Sequence, residues 1–348
     1  MFNLKHLLSA AATTAALSAP CLAQDTAEEH ISRGEALFSR MKVDAAIDEF
    51  RAATRLEPNN AKAHHRLGSA LAAKEDYEAA IMEEQAAARL DPKWHMPYVV
   101  LGKIYSNTGK PDEALKSFQK ALSLKPTSFG THLDLGIALA AMGKLDEAIS
   151  TFRKASELDP KDPRPHINLG SLLSQKGLYL EAIKEEQAAI GLNKNIPEAY
   201  INLGNAYADA GEIENAIEAF NKALKLSPHH PNAHTGLGWM LAKKGDFQRA
   251  IEEQRKAIKV YPQFGTAHRR LASALAQTGD ATGAEKEFLE ALKLNPRDVT
   301  AHVEYADFLK SRGETDKAAG QYKKALEINP DSTPARDGLA GLSRTSPR

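Results

Sequence analysis

The chain has 348 residues, of which 43% are hydrophobic and only 6% are aromatic. A buried core is therefore possible, but Ala, Leu and Ile must supply most of it. The 45 basic residues are balanced by 45 acidic residues. No strong overall charge favours binding to nucleic acid or to an anionic membrane surface, and no nucleic-acid partner is expected.

Residues 1–23 are typical of a secretory signal peptide. Lys5 provides a positive start, an uncharged segment rich in Ala and Leu follows, and Ala23 precedes the expected cleavage point before Gln24. The segment is shorter than the ~20 apolar residues that span a bilayer. We therefore expect cleavage near Ala23–Gln24, a periplasmic or secreted mature protein, and no transmembrane segment after cleavage. The alternative is an uncleaved, weakly apolar terminal helix.

The rest of the sequence repeats with a period of 34 residues. Proline marks this period, with Lys194 at the one exception: Pro58, Pro92, Pro126, Pro160, Pro228, Pro262, Pro296 and Pro330. Self-similarity at such a period indicates stacked structural units. Placing the proline at position 32 gives nine repeats: 27–60, 61–94, 95–128, 129–162, 163–196, 197–230, 231–264, 265–298 and 299–332. Residues 333–348 are expected to form a partial capping helix and a disordered tail.

The same residue types recur at fixed positions of each repeat. Positions 20 and 27 are always Ala, position 8 is Gly or Ala, and position 15 is Gly in seven repeats. Small residues allow two helices to approach closely, and a glycine at position 15 can end a helix in a left-handed turn. Each repeat is therefore predicted to be a helix, a tight turn, a second helix and a turn.

These positions resemble the signature of the tetratricopeptide repeat family. Repeat 197–230 matches it closely, with Tyr200, Leu203, Gly204, Tyr207, Ala216, Phe220, Ala223 and Pro228 at the signature spacings. The resemblance implies an all-α fold, a right-handed α-α superhelix (a solenoid) of nine helix-turn-helix repeats, in which the first helices line a concave groove. It also implies a non-catalytic scaffold, because members of this family mostly bind proteins or peptides in that groove.

The candidate partner-binding residues lie on the face of each first helix that the resemblance places in the groove. They combine an apolar run with a polar fringe and one tryptophan: Val99, Lys103, Leu133, Ile137, Ile167, Ser171, Gln175, Ile201, Asn205 and Trp239. Such a surface suits an extended peptide or an amphipathic helix. The alternative is that these side chains only complete the packing between repeats. One subclass of the family clamps a terminal carboxylate with Lys at position 5, and no repeat here has Lys at that position.

The sequence contains no motif for a phosphate-binding loop, a zinc site or a catalytic nucleophile. We expect neither an enzyme nor a cofactor, since the repeats leave no room for a catalytic domain. The main prediction is a cell-envelope scaffold with a protein or peptide partner. The alternative is an accessory subunit of an envelope enzyme complex, a pilus or a secretion machine.

Position 4 is unusual because it is His in seven repeats: His30, His64, His132, His166, His234, His268 and His302. Neighbouring helices lie ~8–10 Å apart, whereas zinc ligands lie ~2 Å from the metal. We therefore predict hydrogen-bonded packing residues and no metal. If burial dominates, the pKa of these rings falls on folding and acid destabilises the protein; if neighbouring acids dominate, the sign is reversed.

Position 24 is aromatic in most repeats but is Glu84, Glu186 or Gln254 in three. Both Glu residues precede repeats with Tyr at positions 4 and 11. We therefore predict that Glu186 accepts a hydrogen bond from Tyr200 or Tyr207 of the next repeat. The alternative is that this correlation is a coincidence or reflects duplication of a longer block.

Overall fold

A computed structural model describes residues 25–343. The expected signal peptide and residues 344–348 of the expected tail lie outside this range. The chain divides into two compact units, one ending at Pro126 and the other beginning at Thr127. All regular secondary structure of residues 25–343 is helical, so the predicted all-α repeat fold is confirmed. None of these helices combines the length and the apolar character needed to cross a membrane.

Each repeat folds as a pair of helices. The first unit contains three pairs: α1 (Ala27–Ser39) with α2 (Val43–Leu56), α3 (Ala61–Ala73) with α4 (Tyr77–Leu90), and α5 (Met96–Asn107) with α6 (Pro111–Leu124). The second unit contains six pairs and a single last helix: α7 (Phe129–Ala141) with α8 (Leu145–Leu158), α9 (Arg164–Gln175) with α10 (Tyr179–Leu192), α11 (Pro197–Asp209) with α12 (Ile213–Leu226), α13 (Pro231–Lys243) with α14 (Phe247–Val260), α15 (Gly265–Gln277) with α16 (Ala281–Leu294), α17 (Val299–Ser311) with α18 (Thr315–Ile328), and α19 (Thr333–Ser343). Within each unit, a first helix packs against its own partner and against the first helix of the next repeat.

Side-chain caps define where several helices begin. Thr26 and Glu29 form a capping box at the start of α1, in which each side chain bonds the backbone N–H of the other residue. The Asn60 side chain accepts from the N–H of Ala63 at 3.1 Å at the start of α3. Such caps satisfy N–H groups that have no partner within the helix.

The turn inside each repeat has a left-handed residue at position 15. All seven glycines there have positive φ, between 69° and 87°, as the sequence predicted. Met41 and Glu75 occupy the same position in the first two repeats, with φ of 59° and 66°. A left-handed conformation costs a residue with a side chain ~1–2 kcal/mol. Packing of the two helices therefore fixes this turn even where the local sequence opposes it.

Small residues bring the two helices of a repeat into direct contact. Every alanine at positions 20 and 27 is at most 2% exposed. At position 8, a Cβ added to Gly136 would lie 2.6 Å from the ring of Phe152, the position-24 residue of the same repeat. A side chain at position 8 therefore competes with the position-24 side chain for one space.

Helix α19 covers the end of the second unit. Ala335 and Leu342 are buried, with 0% and 5% exposure. A Cβ on Gly338 would lie 2.3 Å from the ring of Tyr322. Gly338 lowers the helical propensity of α19, but its lack of a side chain also allows this helix to lie directly on Tyr322.

Candidate functional site

The candidate partner-binding residues are divided between the two units. Val99 and Lys103 lie in α5 of the first unit, and the other eight lie in α7, α9, α11 and α13 of the second. In the second unit these helices pack side by side in chain order. The larger candidate set is therefore on a continuous row of first helices.

Position 5 of the first helix is mostly buried, which corrects part of the predicted binding set. Val99, Leu133 and Ile201 are only 7%, 6% and 5% exposed, and Ile167 is half-buried. Ile201 belongs to the same hydrophobic cluster as Phe220. At this degree of burial the three side chains serve core packing and leave little surface for a partner.

Other candidates lie on an accessible face. Ile137 is 49% exposed, and Ser171, Gln175 and Asn205 are exposed. Trp239 is half-buried on the same row of helices. We call the face formed by these five residues the first-helix surface. Lys103 is exposed on α5 in the first unit.

A cleft opens at the Trp239 end of the first-helix surface. Its volume is about 320 Å³, and residues of α13, α14, α15 and α17 line it. The Arg270 guanidinium lies 4.4 Å from the centre of the Trp239 ring, within the range of a cation–π contact. Lys243 and Gln277 line the outer part of the cleft and are exposed. Sequence reasoning found Trp239 but missed Arg270, because Arg270 lies one repeat further along the chain.

Gln254 lines the cleft at position 24, where most repeats have an aromatic ring. It is 1% exposed. Its Nε2 donates a hydrogen bond of 3.0 Å to the Thr235 carbonyl oxygen, while its Oε1 has no partner among residues 25–343. A buried acceptor without a partner is unfavourable. The departure from an aromatic residue at position 24 was visible in the sequence, but its connection to a cleft was not.

The cleft carries more positive than negative charge. Arg269 and Glu304 form an ion pair, so these two charges neutralise each other. Arg270 donates through Nη1 to the Thr235 carbonyl oxygen at 3.1 Å, and no carboxylate of the described chain forms an ion pair with it. Burial lowers the pKa of Arg270 to about 10; the Arg269 cation adds to this effect, and Glu304 and Asp209 oppose it. The structure therefore keeps an incompletely compensated guanidinium beside Trp239.

Glu186 does not make the hydrogen bond that the sequence predicted. It is completely buried, and neither of its carboxyl oxygens has a partner in the described residues. The Tyr207 hydroxyl instead accepts from Gln187 Nε2 at 3.0 Å. Position 24 packs against Gly170 of its own repeat and lies near Asn202 of the next, but the hydrogen bond to the tyrosine comes from position 25. The predicted pairing is therefore wrong by one residue.

Burial raises the pKa of Glu186 to about 9, and the neighbouring carboxylate of Glu185 adds to the rise. The Asn202 side chain lies close enough to lower the pKa of Glu186 in part, but it makes no hydrogen bond of good geometry with the carboxyl group. The equivalent Glu84 is also completely buried, but it bonds His65 Nδ1 at 2.8 Å and Ser69 Oγ at 3.2 Å. The two acidic residues at position 24 therefore have different surroundings.

The histidines at position 4 are hydrogen-bonded packing residues, as predicted. Five of them bond a glutamate at position 23 of the same repeat: His30–Glu49 at 2.7 Å, His64–Glu83 at 2.5 Å, and His166–Glu185, His234–Glu253 and His268–Glu287 at 2.6 Å. His302 bonds Gln321 instead, and His132 bonds the Ser128 carbonyl oxygen. Residues 25–343 contain no group of three or more His, Cys, Asp or Glu side chains arranged to hold a metal ion.

At His268, a neighbouring acid and burial act on the pKa in opposite directions. Its Nδ1 faces Glu287, and its Nε2 lies 3.0 Å from the Pro262 carbonyl oxygen. The hydrogen bond to Glu287 raises the pKa of His268, burial opposes this rise, and the Pro262 carbonyl supports it. Of the two signs that the sequence left open, the one set by a neighbouring acid therefore applies to His268.

Sequence comparison matches the chain to tetratricopeptide repeat profiles. Profiles described as tetratricopeptide repeat match residues 201–263, 244–296 and 269–333, residues 108–169 and residues 61–93. A profile described as TPR repeat matches residues 34–74. No curated protein sequence matches the chain.

Solved structures support the same fold. A chain of the APC/C hetero-tetramer Cut9–Hcn1 is 18% identical, with a TM-score of 0.62 over 90% of this chain and 63% of that chain. This chain therefore spans less than two thirds of it. A tetratricopeptide repeat protein from Parabacteroides merdae is 17% identical, with a TM-score of 0.62 over 72% of this chain and 98% of that chain. YrrB, a TPR protein with an unusual peptide-binding site, is 24% identical over 54% of this chain and 97% of its own, with a TM-score of 0.41. At these identities the likeness concerns the fold alone.

Proposed function

Because the chain belongs to the tetratricopeptide repeat family, we propose that it is a non-catalytic scaffold that binds a protein or peptide on the first-helix surface of its second unit. Proteins of this family generally act as interaction scaffolds. The observation that carries the proposal is the accessible row of polar and apolar side chains that leads to the Trp239 cleft.

The composition of the first-helix surface suits a peptide or a helix of a partner. Ile137 offers exposed apolar area, while Gln175 and Asn205 offer amide donors and acceptors on neighbouring helices. Such groups can bond the backbone of an extended peptide or the polar edge of an amphipathic helix. Trp239 supplies the type of large side chain that anchors many interfaces.

Capture from envelope extract of the native host would test the proposal. The test variant carries Ser171→Arg and Asn205→Arg, which place bulky charges on the first-helix surface. The control carries Ala188→Arg and Asn221→Arg, at exposed positions of the second helices α10 and α12. We expect wild type and control to retain the same specific partner and the test variant to lose it. Equal capture by both variants would show that the partner binds elsewhere.

We also propose that the protein works in the cell envelope, as a periplasmic or secreted protein. The support is the pattern of residues 1–23, with Lys5 before an uncharged segment and Ala23 at the expected cleavage point. N-terminal sequencing of protein from the native host should find Gln24 first, in a fraction outside the cytoplasm. An intact Met1 on cytosolic protein would contradict export.

A further inference from the structure

We propose that the cleft beside Trp239 recognises the carboxylate of an internal Asp or Glu side chain in the bound peptide, with Arg270 as its main contact. This inference rests on the proposed function and adds to it the chemistry of the ligand. It starts from three features of the cleft, namely an unpaired cation, a buried acceptor without a partner and first helices that continue on both sides of it.

The first feature is the state of Arg270. Its guanidinium stacks on the Trp239 ring at 4.4 Å and donates one hydrogen bond to the Thr235 carbonyl oxygen. These two contacts fix the orientation of the planar group. No carboxylate of residues 25–343 forms an ion pair with it, and Glu304, which also lines the cleft, pairs with Arg269 instead. A guanidinium that is fixed in this way and has free N–H donors can make a two-point contact with a carboxylate.

Nearby charges favour the same ligand. Lys243 lines the cleft and adds a second cation at its exposed edge. Asp209 influences Arg270 over a longer distance without forming an ion pair, so it reduces the positive potential without occupying the guanidinium. An incoming carboxylate would therefore meet an excess of positive charge, and the partly desolvated site would strengthen that attraction.

The second feature indicates that the carboxylate belongs to a peptide. Gln254 lines the cleft, and its Oε1 is a buried acceptor without a partner in the described residues. A backbone N–H next to the acidic residue would supply the missing donor, whereas a small carboxylate such as acetate has none to offer. The volume of about 320 Å³ equals that of about ten water molecules, which accommodates one acidic side chain and its adjoining peptide group.

The third feature distinguishes an internal residue from a chain end. The cleft lies on a row in which α11, α13, α15 and α17 pack consecutively. First helices therefore continue on both sides of the cleft, and a peptide can extend in both directions from the bound side chain. The family subclass that holds a terminal carboxylate uses Lys at position 5; position 5 beside this cleft is Thr235 or Arg269.

Selection from a random heptapeptide library displayed on phage would test this inference with the full mature chain. The displayed peptides are joined to the coat protein at their carboxyl ends, so only side chains can supply the carboxylate. Selected sequences are then synthesised with amidated ends, in pairs that differ only by Glu or Gln at the enriched position. Affinities are measured for wild type, Arg270→Gln, Lys243→Gln and a control, Arg255→Gln, which alters an exposed arginine on α14.

We expect enrichment of Asp or Glu at one position and a preference for the Glu peptide over the Gln peptide. Arg270→Gln should weaken the Glu peptide by roughly 30-fold or more and abolish that preference, while Lys243→Gln weakens it less and Arg255→Gln leaves it unchanged. Circular dichroism establishes that each variant is folded; if Arg270→Gln is not, Arg270→Lys replaces it, which keeps the charge and should still lower the affinity.

Selected peptides without an acidic residue, or a Glu preference that survives the Arg270 substitution, would overturn the inference and leave the proposed scaffold function intact. Failure to select any peptide, together with equal partner capture by both arginine variants described above, would count against the scaffold function itself.

Discussion

Glu186 should make the stability of the protein fall as the pH rises. Its buried carboxyl group has a pKa of about 9, against 4.5 for an ordinary glutamate, chiefly because burial disfavours the charged form. Between these two values the folded chain holds a proton that the unfolded chain has released. The stabilising contribution is therefore fully present below the unfolded pKa and is lost as the pH rises towards the folded pKa.

The size of the effect follows from the slope of about 1.4 kcal/mol per pH unit for one such proton. Between pH 5 and pH 8 the free energy of unfolding should fall by up to about 4 kcal/mol from this group alone. Glu186→Gln removes the titration and keeps a neutral side chain of similar shape. Its stability should match that of wild type at pH 5 and exceed it at pH 8.

Urea denaturation followed by circular dichroism at pH 5, 6, 7 and 8 would measure this difference. The control is Glu198→Gln, which alters an exposed carboxylate on α11 of the same unit. This control should keep the pH dependence of wild type. If Glu186→Gln has the same pH dependence as wild type, Glu186 is not buried as a neutral acid and the reasoning fails.

Three further predictions concern packing, turns and the histidine pairs. Gly136→Ala should destabilise the protein by about 1–3 kcal/mol in denaturation experiments, since the added Cβ would meet the Phe152 ring at 2.6 Å; an unchanged midpoint would show that the ring moves freely. Glu75→Gly should raise stability by about 0.5–1 kcal/mol, because it relieves a φ of 66° at some cost in chain entropy; a loss of stability would contradict this. His268→Gln should cost more stability at pH 5.5 than at pH 8, because the raised pKa of His268 makes its contribution greatest below the unfolded pKa and removes it as the pH rises. Equal losses at the two pH values would show that its protonation does not contribute.

The helical repeats were predictable because their signals are local and recur. Glycine at position 15 indicates a left-handed turn, and alanine at positions 20 and 27 indicates close helix packing. Both steric requirements are met inside one repeat. The conformations of Met41 and Glu75 were not predictable from their own residue types. They follow only when the repeat is aligned with its neighbours and the turn is imposed by packing.

The candidate site was predictable only in part, because it depends on which faces of neighbouring helices cover one another. Position 5 was expected in the groove, yet Leu133 and Ile201 are in the core. Position 24 was expected to bond a tyrosine of the next repeat, yet position 25 does so through Gln187. A shift of one residue turns a helical side chain by about 100°, since a helix has ~3.6 residues per turn, and the sequence alone does not define that angle well enough.

One signal for the histidines was present in the sequence and was missed. Five repeats with His at position 4 have Glu at position 23, whereas the repeats with Tyr98 and Tyr200 at position 4 have Ser117 and Ala219 there. The pairs seen in the structure follow this pattern. Comparing positions in pairs across the nine copies would have identified the partner of each ring.

Site-specific photo-crosslinking in the native host tests the central claim most directly. A photoreactive amino acid is placed at Gln175, on the first-helix surface, or at Lys184, an exposed position on the second helix α10 of the same repeat. Partner binding on the first-helix surface predicts a discrete crosslinked product from position 175 and none from position 184. A product from position 184 alone, or equal products from both positions, would contradict the account.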